Sequence, residues 1–422
     1  MKEISIIGAT FYGNRGAEAM LSTTIGRLRE ACAGDLHFNV FTYYPKSDGD
    51  LIDDSRVSVY SSTPAYLVTV LFPVAILYRL FGALRLSFFH RFFPQSILSL
   101  ARSKVLICLA GVSFVEGRTK FIPFNIATIL PAMVLGVPVV KFSQAMGPFK
   151  SYINRVAARI FLGRCRQVFT RGETTHAYLR DLLTASERYQ RADDAAFLFK
   201  SEDCLSQQVA GLENKLSELK VLRQSGKTIV GVCPSVVIAK RAEAAGWDYH
   251  QRMQELISGL VEKGYAVALY PNATRGEDMD KTHNNDLPLL AEIEKKLSSD
   301  ISKHVVSFSG SLNAAQIHQI INACDVQAVS RFHAMVASLA SCIPVMVIGW
   351  SHKYLEVMER FGQQDMVLDY KKGSVEPVID CVDRLIAERT ERAQKISNAL
   401  PAVQKLSNVQ IDYITHLLKS SS

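Results

Sequence analysis

At 422 residues the chain is longer than one ordinary domain, so two are expected, and 48% hydrophobic with 21% charged residues is the composition of a protein with substantial cores. The net charge of +8 points to anionic partners, either phosphorylated substrates or a phospholipid surface. Nucleic acid is set aside, because no Lys/Arg block with interleaved aromatics occurs.

Residues 4–8, ISIIG, read as a short strand ending in glycine. A small, polar loop follows (Gly13, Asn14, Arg15, Gly16), then a helical pattern over 17–30. This is a Rossmann-like first strand, turn and helix. Its spacing is not GxGxxG, and no acidic residue ends an obvious second strand, so a dinucleotide site is not expected. The open turn suits an anion or a sugar hydroxyl, with Asn14, Arg15 and Glu18 as contacts; their alternative is to cap the first helix. Residues 38–43 and 57–60 read as further strands.

Residues 65–93, AYLVTVLFPVAILYRLFGALRLSFFHRFF, are apolar up to Tyr78 apart from Thr69, and are then punctuated by Arg79, Arg85, His90 and Arg91. The run is short for a bilayer span, which needs roughly 20 apolar residues. Two readings stand: a buried helical hairpin, or an interfacial segment that inserts apolar side chains while its arginines meet lipid phosphates.

Strands are then expected at 105–109, 137–142 and 167–170, with helices over 122–135, 156–163 and from Arg171 to Leu183. Glycine-rich or polar punctuation follows nearly every strand. A polar helical stretch at 201–226 reads as a linker between an N-terminal domain, 1–200, and a C-terminal one, 227–385. In the latter, strands are expected at 228–232, 266–270, 305–308, 326–329 and 345–348, with helices between them. A helical tail, 386–422, is expected to break around Pro401. The fold class is therefore α/β: two Rossmann-like domains facing a cleft, with parallel sheets covered by helices on both faces.

Residues 326–353 carry the strongest chemical signal. The strand stops at Ser330, and Arg331-Phe332-His333 follows at once, where open α/β sheets and helix N-termini hold anions. A cation and an imidazole two residues apart suit an anionic substrate that needs a proton. The structural alternative for Arg331 is a salt bridge to an aspartate such as Asp325. Arg171 occupies a second strand-to-helix junction, where Glu173 or Thr174 would equally serve as caps. His283 falls in a charged, solvated loop, and its neighbours Asp278 and Asp280 are weak grounds for a metal. The eight cysteines form no CxxC and no zinc spacing, and read as buried thiols of a cytoplasmic protein. No signal peptide is expected, since no long apolar stretch precedes the first glycines.

Five motifs in order, Asn14-Arg15-Gly16-Ala17-Glu18, Ser143-Gln144-Ala145-Met146-Gly147-Pro148, Arg171-Gly172-Glu173-Thr174-Thr175, Asp193-Asp194-Ala195-Ala196-Phe197 and Arg331-Phe332-His333-Ala334, resemble those of the polysaccharide pyruvyl transferases. The resemblance extends to Ile343-Pro344-Val345 and Lys353. It implies a GT-B-like fold and transfer of pyruvate from phosphoenolpyruvate to a sugar, often as a cyclic ketal, in exopolysaccharide or cell-surface glycan synthesis. It further implies that Arg171 and Arg331 hold the donor, that His333 is the general acid, and that no metal or other cofactor is required. Asn14, Glu18, Gln144 and Lys353 complete the expected substrate-binding set. Where many members carry three glycines this chain has Ala110-Gly111-Val112, and where they carry Gly-Gln-Gly it has Ser143-Gln144-Ala145; those loops are expected to shape the acceptor side. The acceptor is then a sugar or lipid-linked glycan, and the 65–93 segment raises peripheral contact with the inner face of the plasma membrane. Rival readings are a GT-B-like glycosyltransferase using a nucleotide sugar, and a non-catalytic glycan- or membrane-binding member of an assembly complex.

Overall fold

The apolar runs become strands of two parallel sheets in a computed structural model that describes residues 1–32, 35–276, 278–281, 283–349, 352–369 and 375–420. The chain divides into two units. The first comprises Met1–Phe11, Met20–Leu198 and Gln404–Ser422, the second Tyr12–Ala19 and Phe199–Val403.

In the first unit the described strands are β1 (Lys2–Ile7), β2 (Leu36–Thr42), β3 (Val57–Ser61), β4 (Leu106–Cys108), β5 (Val112–Val115), β6 (Val139–Gly147), β7 (Gln167–Thr170) and β8 (Tyr189–Arg191). They pair in parallel in the order β3-β2-β1-β4-β6-β7-β8, with β5 on β6. The second unit has β9 (Ile229–Cys233), β10 (Ala266–Leu269), β11 (Val305–Ser307), β12 (Val326–Val329), β13 (Val345–Gly349) and β14 (Val367–Asp369). Their order, β11-β10-β9-β12-β13-β14, is that of a Rossmann sheet and is again all parallel. Both sheets reverse direction of growth beside their first strand, between β1 and β4 and between β9 and β12. Ligands of open α/β sheets bind at the carboxyl ends of strands flanking such a reversal.

Four expectations differ from what is observed, each for a local reason. Residues 12–19 group with the second unit because Asn14 bridges Ala273 and the Gly13 carbonyl accepts from the Thr274 N–H at 2.8 Å. The expected linker helix is not a linker: Leu212–Gln224 buries Leu212 and Leu219 and packs on β9 and β11. The tail does not break at Pro401, which lies inside one helix, Arg389–Ser420. Its end is fastened to the first unit, where Ser407 Oγ donates to the Asp194 carbonyl (3.0 Å) and Gln410 Nε2 to that of Asp193 (3.0 Å). The expected helix over 122–135 is divided into Ile122–Ala127 and Leu130–Leu135, as the second proline requires.

The 65–93 segment is not a buried hairpin. A helix runs over Pro64–Ala83, with a wider turn at Leu67–Leu71 ahead of Pro73. Leu67, Leu71 and Ala75, spaced four apart, enter the core, whereas most of the remaining side chains face solvent. Among the described residues this is the one helix long and apolar enough to cross a membrane.

A buried histidine gives the second unit an acid-sensitive point. His318, in the helix Ala314–Asn322, lies against Phe199 with ring centres 4.7 Å apart, and burial lowers its pKa to about 4. In the unfolded chain the ring titrates near 6.5. Between those values the unfolded state holds the extra proton, so stability rises with pH and is lost as pH falls from about 6.5 towards 4. The expected loss at about pH 5 is about 2 kcal/mol, and His318→Leu should remove most of that slope in urea unfolding compared at neutral and acid pH. An unchanged slope in the variant would assign it to other groups.

Candidate active site

Strand β12 ends at Val329; Ser330 follows, and Arg331, still in extended backbone (φ −99°, ψ 130°), precedes the helix Phe332–Ala340. Extended geometry here lets the strand end and the helix begin within two residues, leaving Arg331 at the sheet edge. Across the point where the strand order reverses, β9 leads to Ser235. The two strand ends are tied by Tyr249, whose hydroxyl accepts from the Ser235 N–H (3.2 Å) and lies 3.0 Å from Ser330 Oγ. Burial raises the Tyr249 pKa, so at neutral pH the group is a neutral phenol.

The Arg331 side chain is only 12% exposed and is gripped from one side. Nε donates to Asp286 Oδ2 (2.9 Å), Nη2 to Asp286 Oδ1, and Nη1 to Asn284 Oδ1 (2.8 Å). Three of its five N–H groups are thereby used, leaving two for a ligand. Asp286 is fully buried and also accepts from the backbone N–H groups of Val236 (3.1 Å), Asn272 (3.3 Å) and Ala273 (2.9 Å). Burial opposes the charge on Arg331, yet the Asp286 carboxylate outweighs it and holds the guanidinium pKa above its ordinary value. The expected alternative partner, Asp325, is elsewhere: it accepts from the Ile229 N–H (2.8 Å) and pairs with Arg223 (3.2 Å). Arg331 therefore has both a structural partner and free donor capacity, which the either/or reading of the sequence did not allow for.

His333 is half-buried, edge-on to Phe332 with ring centres 5.2 Å apart. Gly16 packs against its imidazole so closely that a Cβ there would overlap the ring. Lys353 reaches the same phenylalanine, its Nζ 4.4 Å from the Phe332 ring centre and 5.4 Å from that of Tyr354. Tyr354 in turn donates to the Ser330 carbonyl at 3.2 Å. Arg331, His333 and Lys353 are thus gathered around Ser330 and Phe332. A cleft of about 580 Å³ in the same unit is lined by Trp247, Tyr249, His250 and Asn285.

Two of the expected sugar contacts in this unit have other work. Asn14 caps the first helix, its Oδ1 accepting from Gly16 N (3.2 Å) and Ala17 N (3.4 Å). Glu18 is fully buried, paired with Arg15 Nη1 (2.6 Å) and accepting from Ala314 N (3.1 Å), Ser206 Oγ and Cys204 Sγ. Burial raises its pKa against the lowering effect of Arg15. Arg15 is the unbalanced member of this segment: it is 3% exposed, and its Nε and Nη2 have no hydrogen-bond partner among the described residues. Orphaned buried donors of this kind call for an acceptor.

In the first unit, Arg171 follows β7 and is also almost fully buried. Nη1 pairs with Asp194 Oδ2 (2.6 Å) and Nη2 donates to the Gly111 carbonyl (2.8 Å), so Asp194 of the Asp193-Asp194 motif holds it in place. Neither Glu173 nor Thr174 is needed for that. Gln144, expected to touch substrate, is buried with both ends of its amide satisfied: Nε2 donates to the Cys108 carbonyl (2.7 Å), and Oε1 accepts from Ser113 Oγ (2.7 Å). It joins β4, β5 and β6 instead. Asp286 is the residue the sequence reading missed. Its one signal is its place directly before Leu287-Pro288, the start of a helix, where an aspartate is expected only to cap.

Parallel sheets of these orders, with helices on both faces, are GT-B-like. The solved structures similar to the chain include a UDP-GlcNAc 2-epimerase from Neisseria meningitidis bound to UDP-GlcNAc (TM-score 0.59, 10% identity, 100% of each chain covered) and Anabaena Alr3699/HepE in complex with UDP-glucose (0.55, 14%, 100% of each). At such identities the likeness is one of fold. The chain belongs to the polysaccharide pyruvyl transferase family, whose sequence model matches residues 14–352. Among curated relatives, the amylovoran biosynthesis protein AmsJ of Erwinia amylovora is 21% identical over 422 residues, covering 96% of this chain and 97% of that protein.

Proposed function

We propose that this protein transfers pyruvate from phosphoenolpyruvate to two hydroxyls of a sugar, forming a ketal, during exopolysaccharide synthesis in the cytoplasm. Family membership and the likeness to AmsJ support the class of reaction. The observation that carries the donor assignment is the placing of Arg331 and His333 at the strand-order reversal, with Arg331 held by Asp286 so that two donors remain. The eight cysteines are free thiols, in keeping with a reducing compartment.

In this reading His333 protonates the methylene carbon of phosphoenolpyruvate and leaves an oxocarbenium-like centre at C2. A sugar hydroxyl adds there and returns a proton to the imidazole; phosphate then leaves, and the second hydroxyl closes the ketal. Of the two hydroxyl protons, one ends on the new methyl group and the other on phosphate. Arg331 and Lys353 offset the donor's charge, and Arg15, with its two unpaired nitrogens, is a further cation for the same anion. Arg171 enters as the second donor-binding cation through the family resemblance.

The test is to incubate the protein with phosphoenolpyruvate and lipid- or nucleotide-linked glycans in D2O. Phosphate release is expected, with one deuterium in the methyl group of each ketal formed. A product that keeps the methylene, or release of a nucleotide from a nucleotide sugar with phosphoenolpyruvate untouched, would overturn the assignment.

A further inference from the structure

From Ser55 to Val115 the chain contains no aspartate or glutamate, yet Arg79, Arg85 and Arg91 fall within it and are exposed. The same stretch holds a concentration of exposed apolar side chains: Val68, Leu84, Phe88 and Phe92 are 60, 58, 62 and 68% exposed. Scattered exposed leucines are ordinary, but a contiguous aromatic and aliphatic face marks contact with another phase or molecule.

The segment is fixed to the first unit in a way that determines how it can meet a partner. Leu67, Leu71 and Ala75 are buried in the core, and Tyr66 makes a 2.8 Å hydrogen bond with Ser96. At the far end His90 stacks on Tyr78 with ring centres 3.8 Å apart, and its Nε2 lies 3.1 Å from the Tyr78 carbonyl. The helix Pro64–Ala83 and the short helix Ser87–Phe92 are thereby held along the unit, with one side docked and the other bare. A helix so docked cannot cross a bilayer without leaving its core contacts. It can lie in the interface, apolar side down. Arg91 sits over the Phe88 and Phe92 rings, 3.9 and 4.7 Å from their centres, so its charge accompanies the aromatics that would enter the acyl boundary. Arginine over aromatic rings, in a stretch of sequence without an acid, complements lipid phosphate rather than a second copy of the same cationic surface.

We infer that the face formed by Pro64–Ala83 and Ser87–Phe92 docks the protein peripherally on an anionic phospholipid surface. This binding is independent of the proposed reaction, and its measurement needs no turnover. Flotation with vesicles of phosphatidylcholine, with and without phosphatidylglycerol, is the test. The protein is expected to float with the anionic vesicles and to be released by high salt. Arg79→Glu/Arg85→Glu/Arg91→Glu should weaken binding by at least about 100-fold, since each basic residue at such a surface contributes roughly a factor of five. Phe88→Ser/Phe92→Ser should weaken it as strongly on the apolar side. Both variants should keep the parent's thermal unfolding and its phosphate release with a water-soluble acceptor, which separates lost docking from lost folding. No binding to anionic vesicles, undiminished binding by either variant, or attachment that survives carbonate extraction would overturn the inference. So would dimerisation without lipid that Phe88→Ser/Phe92→Ser abolishes, because the face would then belong to a second copy.

Discussion

Replacing His333 with asparagine is expected to lower phosphate release from phosphoenolpyruvate by about 10²–10⁴-fold, the usual contribution of a positioned general acid. The proton must be delivered to carbon, a poor base that draws little help from bulk water. In the proposed reaction the arginines hold phosphoenolpyruvate, so its binding should be largely retained and the effect should fall on kcat rather than KM. Asparagine is chosen because Gly16 packs directly on the ring, where a bulkier side chain would have to displace the segment carrying Arg15 and Glu18. Thermal unfolding of the variant should stay close to the parent's. If His333→Asn kept parental turnover, another group would have to supply the proton.

The strands were legible because a parallel sheet buries both faces, so that its strands are nearly unbroken apolar runs such as Ile229–Cys233 and Val345–Gly349. Short or polar strands were not: Tyr189–Arg191 and Val367–Asp369 pair at sheet edges and carry too little apolar signal to stand out. The helix Leu212–Gln224 looked like a linker because two buried leucines suffice to dock it. Composition marked 65–93 as unusual but could not say which side is buried. That depends on what the spacing of Leu67, Leu71 and Ala75 meets in three dimensions.

At the site, the position of Arg331 and His333 after a strand was readable, since strand, junction and helix follow one another directly from Val326 to Ala340. What surrounds them was not. Glu18 opens a helix after a glycine-rich turn and Gln144 lies late in β6, places where a ligand contact is expected, but their partners are Arg15, Ser206 and Ala314 in one case and Cys108 and Ser113 in the other. A buried polar group satisfied inside the protein and one facing a substrate have the same sequence signature. Asp286 reaches Arg331 across 45 positions of sequence, and only the strand order β10-β9-β12 brings them together.

That pair sets the second large effect. Asp286→Ala is expected to destabilise the second unit by about 3–5 kcal/mol, because Arg331 would remain buried with its countercharge removed. The backbone N–H groups of Val236, Asn272 and Ala273 would lose their acceptor as well. Arg331→Met should cost less, since Asp286 would keep those three donors. The double variant should then be no less stable than Asp286→Ala alone, because the stranded charge has gone with its partner. Activity should follow a different order. In the proposed reaction Arg331→Met would remove the donor contact itself, whereas Asp286→Asn keeps an acceptor for the backbone but frees the guanidinium to rotate, which should raise KM for phosphoenolpyruvate with less effect on kcat. Urea unfolding of the four variants and the parent beside phosphate-release kinetics separates these outcomes. Equal destabilisation by Asp286→Ala and Arg331→Met would mean that the carboxylate has no more to hold than the arginine, and that the strand ends owe their placement to Tyr249 and its hydrogen bonds instead.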